Sequence, residues 1–295
     1  MSVLRPAWLG FLAALPLLLT PLFLMPKGEK SAAPAPGSDS TGFDYNNYAA
    51  ALNGYVDDRG MVDYKGLKAD RGGLDLFVEQ LASLTGEEFD TLSEKDKLAF
   101  WINAYNGLTL RAIIDHYPIR SSLLGWLTHP KNSIRQIPGV WDKLEFRVMG
   151  SPMTLDEIEH SVLRVQFREP RIHMALVCAA RGCPPLRSEP YLGHRIEEQL
   201  AGQTMRFLLD PHKFSIDRGK KKVKLSPIFD WFAEDFLGPY LESGPVKGFK
   251  PPERAVLNFI SGYLDYRDGL FIHSSDYKIS YLKYDWSLNE QQVDR

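Results

Sequence analysis

Residues 93–116, SEKDKLAFWINAYNGLTLRAIIDH, read as a helix with almost no polar face. Leu98, Trp101, Ile102, Tyr105 and Leu108 form one apolar stripe, and Phe100, Asn103, Gly107 and Leu110 form a second. A helix apolar around most of its circumference is buried, so the rest of the domain has to wrap it. Ser93 is suited to cap its start, with Glu94 and Asp96 in the first turn against the helix dipole. Asn103 and Asn106 then fall inside the protein, where each amide needs partners. Two roles compete for them: tying down neighbouring loops, or orienting a catalytic group or holding an oxyanion.

The 295 residues carry a net charge of -2, too balanced for a nucleic-acid binder. Arg5 precedes an almost uncharged run over 6–26, PAWLGFLAALPLLLTPLFLMP. Its length is close to the ~20 residues that span a bilayer. Small-residue positions near it, Ala33 and Ala35, are each followed by proline, a poor context for cleavage. The expectation is a retained anchor, resembling a bacterial signal-anchor, that ties the chain to the membrane. The globular part is then expected on the extracytoplasmic, periplasmic side, although Lys27 and Lys30 oppose Arg5 in the charge rule. Residues 27–42, KGEKSAAPAPGSDSTG, have the composition of a flexible linker. No second linker and no internal repeat follows, so 43–295 is expected to be one domain.

Amphipathic helices are expected over 43–57 and 73–84, with VDYKGL at 62–67 as a short extended or turn segment between them. The alternation of VWDKLEFRV and the turn MGSP predict a hairpin within 139–154. Thr154 and Glu157 make a capping box that opens a helix, LDEIEHSVLRVQF. Leu155, Ile158, Val162 and Val165 can face the core, and Glu159 and His160 sit beside that stripe. His160 is then either a satisfied structural histidine or a general base. Further helices are expected over 193–210 and 252–264. KFSIDRGKKKVKLS predicts a hairpin whose lysines mark a solvated edge. DWFAEDF begins a short aromatic helix, and DYKISYLKYDWSLN predicts a closing strand.

Both cysteines lie in residues 170–187, PRIHMALVCAARGCPPLR. The short apolar run bounded by Pro170 and Arg181-Gly182 predicts a buried strand. Ile172, Met174, Leu176 and Cys178 would line one face and His173, Ala175 and Val177 the other. A polar loop leaving the end of a buried strand is a frequent place for chemistry. The fold expected from all this is α/β (mixed α+β), with a central sheet flanked by helices.

FWINAYN at 100–106, IEH at 158–160, C-x4-C-P-P at 178–185 and the closing YDWSLN at 284–289 together resemble the domain-of-unknown-function 547 family, with VDYKGL fitting its amino-terminal edge. The resemblance covers roughly 55–290 and implies a mixed α/β fold and, in bacteria, frequent export. It implies no settled activity. A remoter likeness to papain-like or transglutaminase-like thiol enzymes departs from their order, because His160 precedes both cysteines here.

Four roles compete for the cysteines. They form a disulfide across AARG, a loop small enough to contribute roughly 2 kcal/mol in the chain-entropy model. Or one is a thiolate nucleophile, with Cys183 in the more exposed loop and Cys178 packed. His160 or His173 would then serve as base, and Asn103, Asn106 or Asp285 would hold its tautomer. Or both are reduced packing residues. Or they bind metal with histidines, although C-x4-C has no second ligand pair at finger-like spacing. No Gly-rich phosphate loop, HExxH helix or G-x-S-x-G elbow is present, and no cofactor is expected. Two functions stay open: a thiol-dependent hydrolase or transferase acting on an amide or acyl bond of an envelope peptide or acyl substrate, and a non-catalytic envelope binding module with a structural Cys178–Cys183 disulfide.

Overall fold

The computed structural model describes residues 42–120 and 129–292. The expected signal-anchor over 1–26 lies outside the described residues, as does the expected linker apart from its last residue. Among the described residues no helix is long and apolar enough to cross a membrane.

The helix Glu94–His116 is the axis of the larger apolar cluster, and sixteen of its 23 residues are buried. Ser93 caps it, accepting from the Asp96 N–H at 3.2 Å. Three helices lean on it: Asn46–Tyr55, Tyr64–Ala69 and Gly72–Ser83. Gly107 permits the closest of these approaches, since a Cβ there would lie 2.4 Å from Phe77 Cε1. VDYKGL is helical rather than extended from Tyr64 on, because the Asp63 side chain accepts from Gly66 N–H and starts a turn.

A hairpin follows, β1 (Phe146–Val148) with β2 (Ser151–Met153), paired antiparallel. Thr154 and Glu157 form the capping box in both directions, at 2.8 and 3.2 Å. The helix they open, Glu157–Phe167, is wound wide with i→i+5 hydrogen bonds. Arg168 ends it in the left-handed conformation, at φ 50°.

A second apolar cluster forms around Phe207, Phe229, Phe236 and Phe259. It is built by helix Ile196–Leu208, the short turns Ile228–Trp231 and Ala233–Phe236, helix Pro251–Ser261, and a small sheet. In that sheet β3 (Phe214–Asp217) and β4 (Lys222–Leu225) pair antiparallel, and β5 (Lys278–Tyr281) joins β4 in parallel. β4 is therefore the middle strand, and its lysines do not mark a free edge. The expected closing strand stops at Tyr281 and continues as irregular chain.

The class is mixed α/β, but there is no central sheet among the described residues: two small sheets lie beside a helical core. The strand expected over 172–178 is not one. Pro170–Met174 is a 3-10 turn, and the next residues run without a neighbouring strand. The reason lies in the central helix. Asn106 Nδ2 donates to Ala175 O at 3.0 Å, and its Oδ1 accepts from Val177 N–H at 2.8 Å. One amide side chain thus satisfies the buried backbone that a strand partner would otherwise serve.

Candidate functional site

Past Val177 the chain turns through Ala179, which is left-handed at φ 56°. It then meets the closing segment: Arg181 and Gly182 N–H groups donate to Ser287 O and Asp285 O, both at 2.8 Å. This clamp holds Cys178 and Cys183 together, and they are joined as a disulfide with Cα atoms 6.1 Å apart. Two donors converge on Cys183 Sγ: the Cys178 N–H at 3.0 Å and the Tyr284 O–H at 3.1 Å. The Tyr284 oxygen is also 3.3 Å from Cys178 Sγ. Gly182 lets the Tyr284 ring lie this close, since a Cβ would stand 2.8–2.9 Å from it.

The expected exposures are reversed. Cys183 is 3% exposed and packs into the larger core with Leu186, whereas Cys178 is only half-buried. Within the loop only Arg181 is exposed; Ala179 and Ala180 are buried, and after Gly182 the chain turns inward again.

Both cysteine residues line a cleft of about 240 Å³. Its walls are aromatic. Trp231 stacks on Trp286 at 6.1 Å between centroids, and Tyr284 packs against both at 4.8 and 4.6 Å. Trp141 adds an edge at 6.2 Å from Trp286, and the Arg135 guanidinium sits 4.6 Å over the Trp286 ring. Trp231 is 49% exposed, so an apolar surface is presented to whatever enters.

The other side of the cleft is polar. His173 is buried, stacked on Phe232 at 4.0 Å, and its Nε2–H donates to Asp235 Oδ2 at 2.8 Å. Arg164 grips the same carboxylate with two bonds of 2.6 and 2.8 Å. Burial alone would raise the Asp235 pKa, but the bonds from His173 and Arg164 outweigh it and hold the carboxyl well below the usual range. Arg164 also donates to His160 Nδ1 at 3.0 Å. An arginine cannot accept, so a neutral His160 carries its proton on Nε2, which lies 3.9 Å from Asp156 Oδ1. Burial raises the Asp156 pKa; His160 opposes this and Asp142 adds to it. Glu159 lies against two phenols: burial first, and then its charge, pushes Tyr105 and Tyr284 above the ordinary tyrosine range.

Of the predicted site residues, Cys178, Cys183, Glu159, His160 and His173 therefore meet in one cleft. Asn103, Asn106 and Asp285 do not line it. Asn103 bonds the backbone of Tyr191 in both directions, and Asn106 holds Ala175 and Val177 as described. Both tie down loops. Asp285 caps Ser287 N–H at 2.9 Å and faces a neighbouring hollow with Lys213. The imidazoles are held instead by Asp235 and Arg164, which sequence reading had not singled out. Spacing offered a partial signal for Arg164, four residues after His160 on one helix face; nothing local marks Asp235.

Residues 89–208 match the model of a family described as a protein of unknown function, DUF547. Over that segment the chain is similar to the DUF547 family. No curated protein and no solved structure matches it. The DUF547 match contains the central helix, the wide helix and the cysteine loop. Trp231, Phe232, Asp235, Tyr284 and Trp286 lie beyond it, so the cleft is completed from outside the matched segment. Among the described residues no group of three or more His, Cys, Asp or Glu is placed to hold a metal ion.

Proposed function

We propose that this protein is a membrane-tethered, extracytoplasmic binding module whose aromatic cleft takes an envelope peptide or acyl group. The observation that carries this reading is the pairing of Cys178 with Cys183 beneath a half-exposed Trp231. A disulfide removes the free thiolate and braces the floor of the cleft, and it suits an oxidising compartment. Apolar walls with a few fixed polar groups suit ligand binding. The apolar run over 6–26 supports the tether. Titration of the full chain with short peptides and N-acylated peptides, read by tryptophan emission, tests it. Binding should perturb the emission and be lost in Trp231→Ala. No response to either ligand class would overturn it.

A second reading, a thiol-dependent hydrolase or transferase, is favoured by one observation: His160 and His173 line the same cleft as both sulfurs. Here Cys178, the more open cysteine, is the better nucleophile once the pair is reduced. Its sulfur would add to the acyl carbon while the thiol proton passes by way of a cleft imidazole to the leaving amine, and water would then release the acyl group from the thioester. Hydrolysis of a peptide or ester that appears only with reductant, and disappears in Cys178→Ala, is the outcome this reading requires.

A further inference from the structure

The two sulfurs of the disulfide are not equivalent, and the difference has a direction. Cys178 is half-buried at the cleft, whereas Cys183 is 3% exposed. The Cys178 N–H donates to Cys183 Sγ at 3.0 Å, and the Tyr284 O–H, which reaches both sulfurs, lies nearer Cys183 Sγ (3.1 Å) than Cys178 Sγ (3.3 Å). Hydrogen bonds from N–H and O–H donors strengthen as the acceptor gains negative charge. They therefore favour a thiolate at Cys183 over the neutral sulfur of the disulfide. Exchange at a disulfide is faster when the sulfur that leaves is the better-stabilised thiolate, and it requires access to the sulfur that is attacked. Both conditions select the same polarity.

We infer that the Cys178–Cys183 bond is a thiol-exchange centre, attacked at Cys178 with Cys183 as the leaving thiolate. The substrate class is a thiol. Its thiolate forms a bond to Cys178 Sγ while the bond to Cys183 breaks and the electron pair stays on Cys183. No proton moves in that step. A second thiol then attacks the substrate sulfur of the mixed disulfide. The substrate leaves as an oxidised disulfide, Cys178 is released as a thiolate, and the protein holds two reduced cysteines. Two substrate thiols are oxidised and one protein disulfide is reduced. The aromatic wall of Trp231, Tyr284 and Trp286 stands beside the attacked sulfur and suits a thiol carried next to an apolar group. The inference goes beyond the binding reading, because it rests on the surroundings of the sulfurs and not on what else the cleft holds.

The test uses the full, folded chain in glutathione redox buffers, with a cysteine peptide flanked by leucine as a second thiol. Samples quenched in acid part-way are mapped by mass spectrometry. The mixed disulfide is expected on Cys178 in the wild-type chain, without any substitution. In Cys183→Ser, Cys178 should be captured at least about tenfold faster than Cys183 in Cys178→Ser. Tyr284→Phe should slow opening by about tenfold, the scale of one hydrogen bond to a charged sulfur. A faster reaction with the leucine-flanked peptide than with glutathione assigns the thiol to a peptide, and the reverse assigns it to a small molecule. Adducts on Cys183, reduction only where the chain unfolds, or unchanged rates in Tyr284→Phe would each overturn the inference.

Discussion

His173 donates through Nε2 to Asp235 Oδ2 at 2.8 Å, and this bond joins the DUF547-matched segment to the chain beyond it. Asp235 also anchors Arg164, so one carboxylate organises both imidazoles of the cleft. Asp235→Ala leaves a buried histidine and a half-buried arginine without their partner. A loss of about 2 kcal/mol is expected, discounted for the partial exposure of the pair. Urea denaturation read by tryptophan emission measures it.

The same carboxyl gives a pH dependence with a definite sign. Its folded pKa is depressed, burial being outweighed by His173 and Arg164. Its contribution is therefore fully present above the unfolded aspartate value of about 3.9 and is lost as pH falls below that, through the depressed folded value. Urea midpoints between neutral pH and strong acid should fall more steeply for the wild type than for Asp235→Asn below that value. Parallel curves would remove the assignment.

Asn106 is expected to matter for stability, not for chemistry. Asn106→Ala strands the Val177 N–H and the Ala175 carbonyl inside the core, at a cost of about 2–4 kcal/mol. Asn103→Ala should cost a similar amount at Tyr191. Thermal and urea unfolding of both variants check this.

Gly182→Ala sets a methyl group against the Tyr284 ring, at 2.8–2.9 Å before relaxation. Relief has to come from moving the ring off the sulfurs, at about 1–3 kcal/mol. Near-UV circular dichroism of the Trp231–Tyr284–Trp286 cluster should change along with the unfolding midpoint.

Replacing both cysteines by serine releases a short loop and should lower stability by roughly 2 kcal/mol in the chain-entropy model. An equal midpoint for the oxidised wild type and the double variant would show that the closing segment alone holds the loop.

Much of the fold was legible in adjacent residues. The buried helix, its Ser93 cap, the Thr154–Glu157 capping box and both hairpins depend on periodicity and on partners a few positions away. The same information misread 172–178 as a strand, because apolar alternation reports burial and not the identity of the hydrogen-bond partner. That partner is Asn106, 71 residues away from Val177. It likewise misread the lysines of β4, because β5 reaches that strand only after four intervening α-helices and a 3-10 turn.

The amino-acid order by itself determined the longer helices, which side chains must leave water, and that two cysteines close in sequence can pair. Only the tertiary structure decided that Tyr284 rests on those sulfurs, that Asp235 holds His173, and which cysteine faces the cleft. Caps and periodic stripes are local energies, set by neighbours along the chain. Contacts between distant segments are chosen by how whole surfaces pack, and no short stretch carries that information.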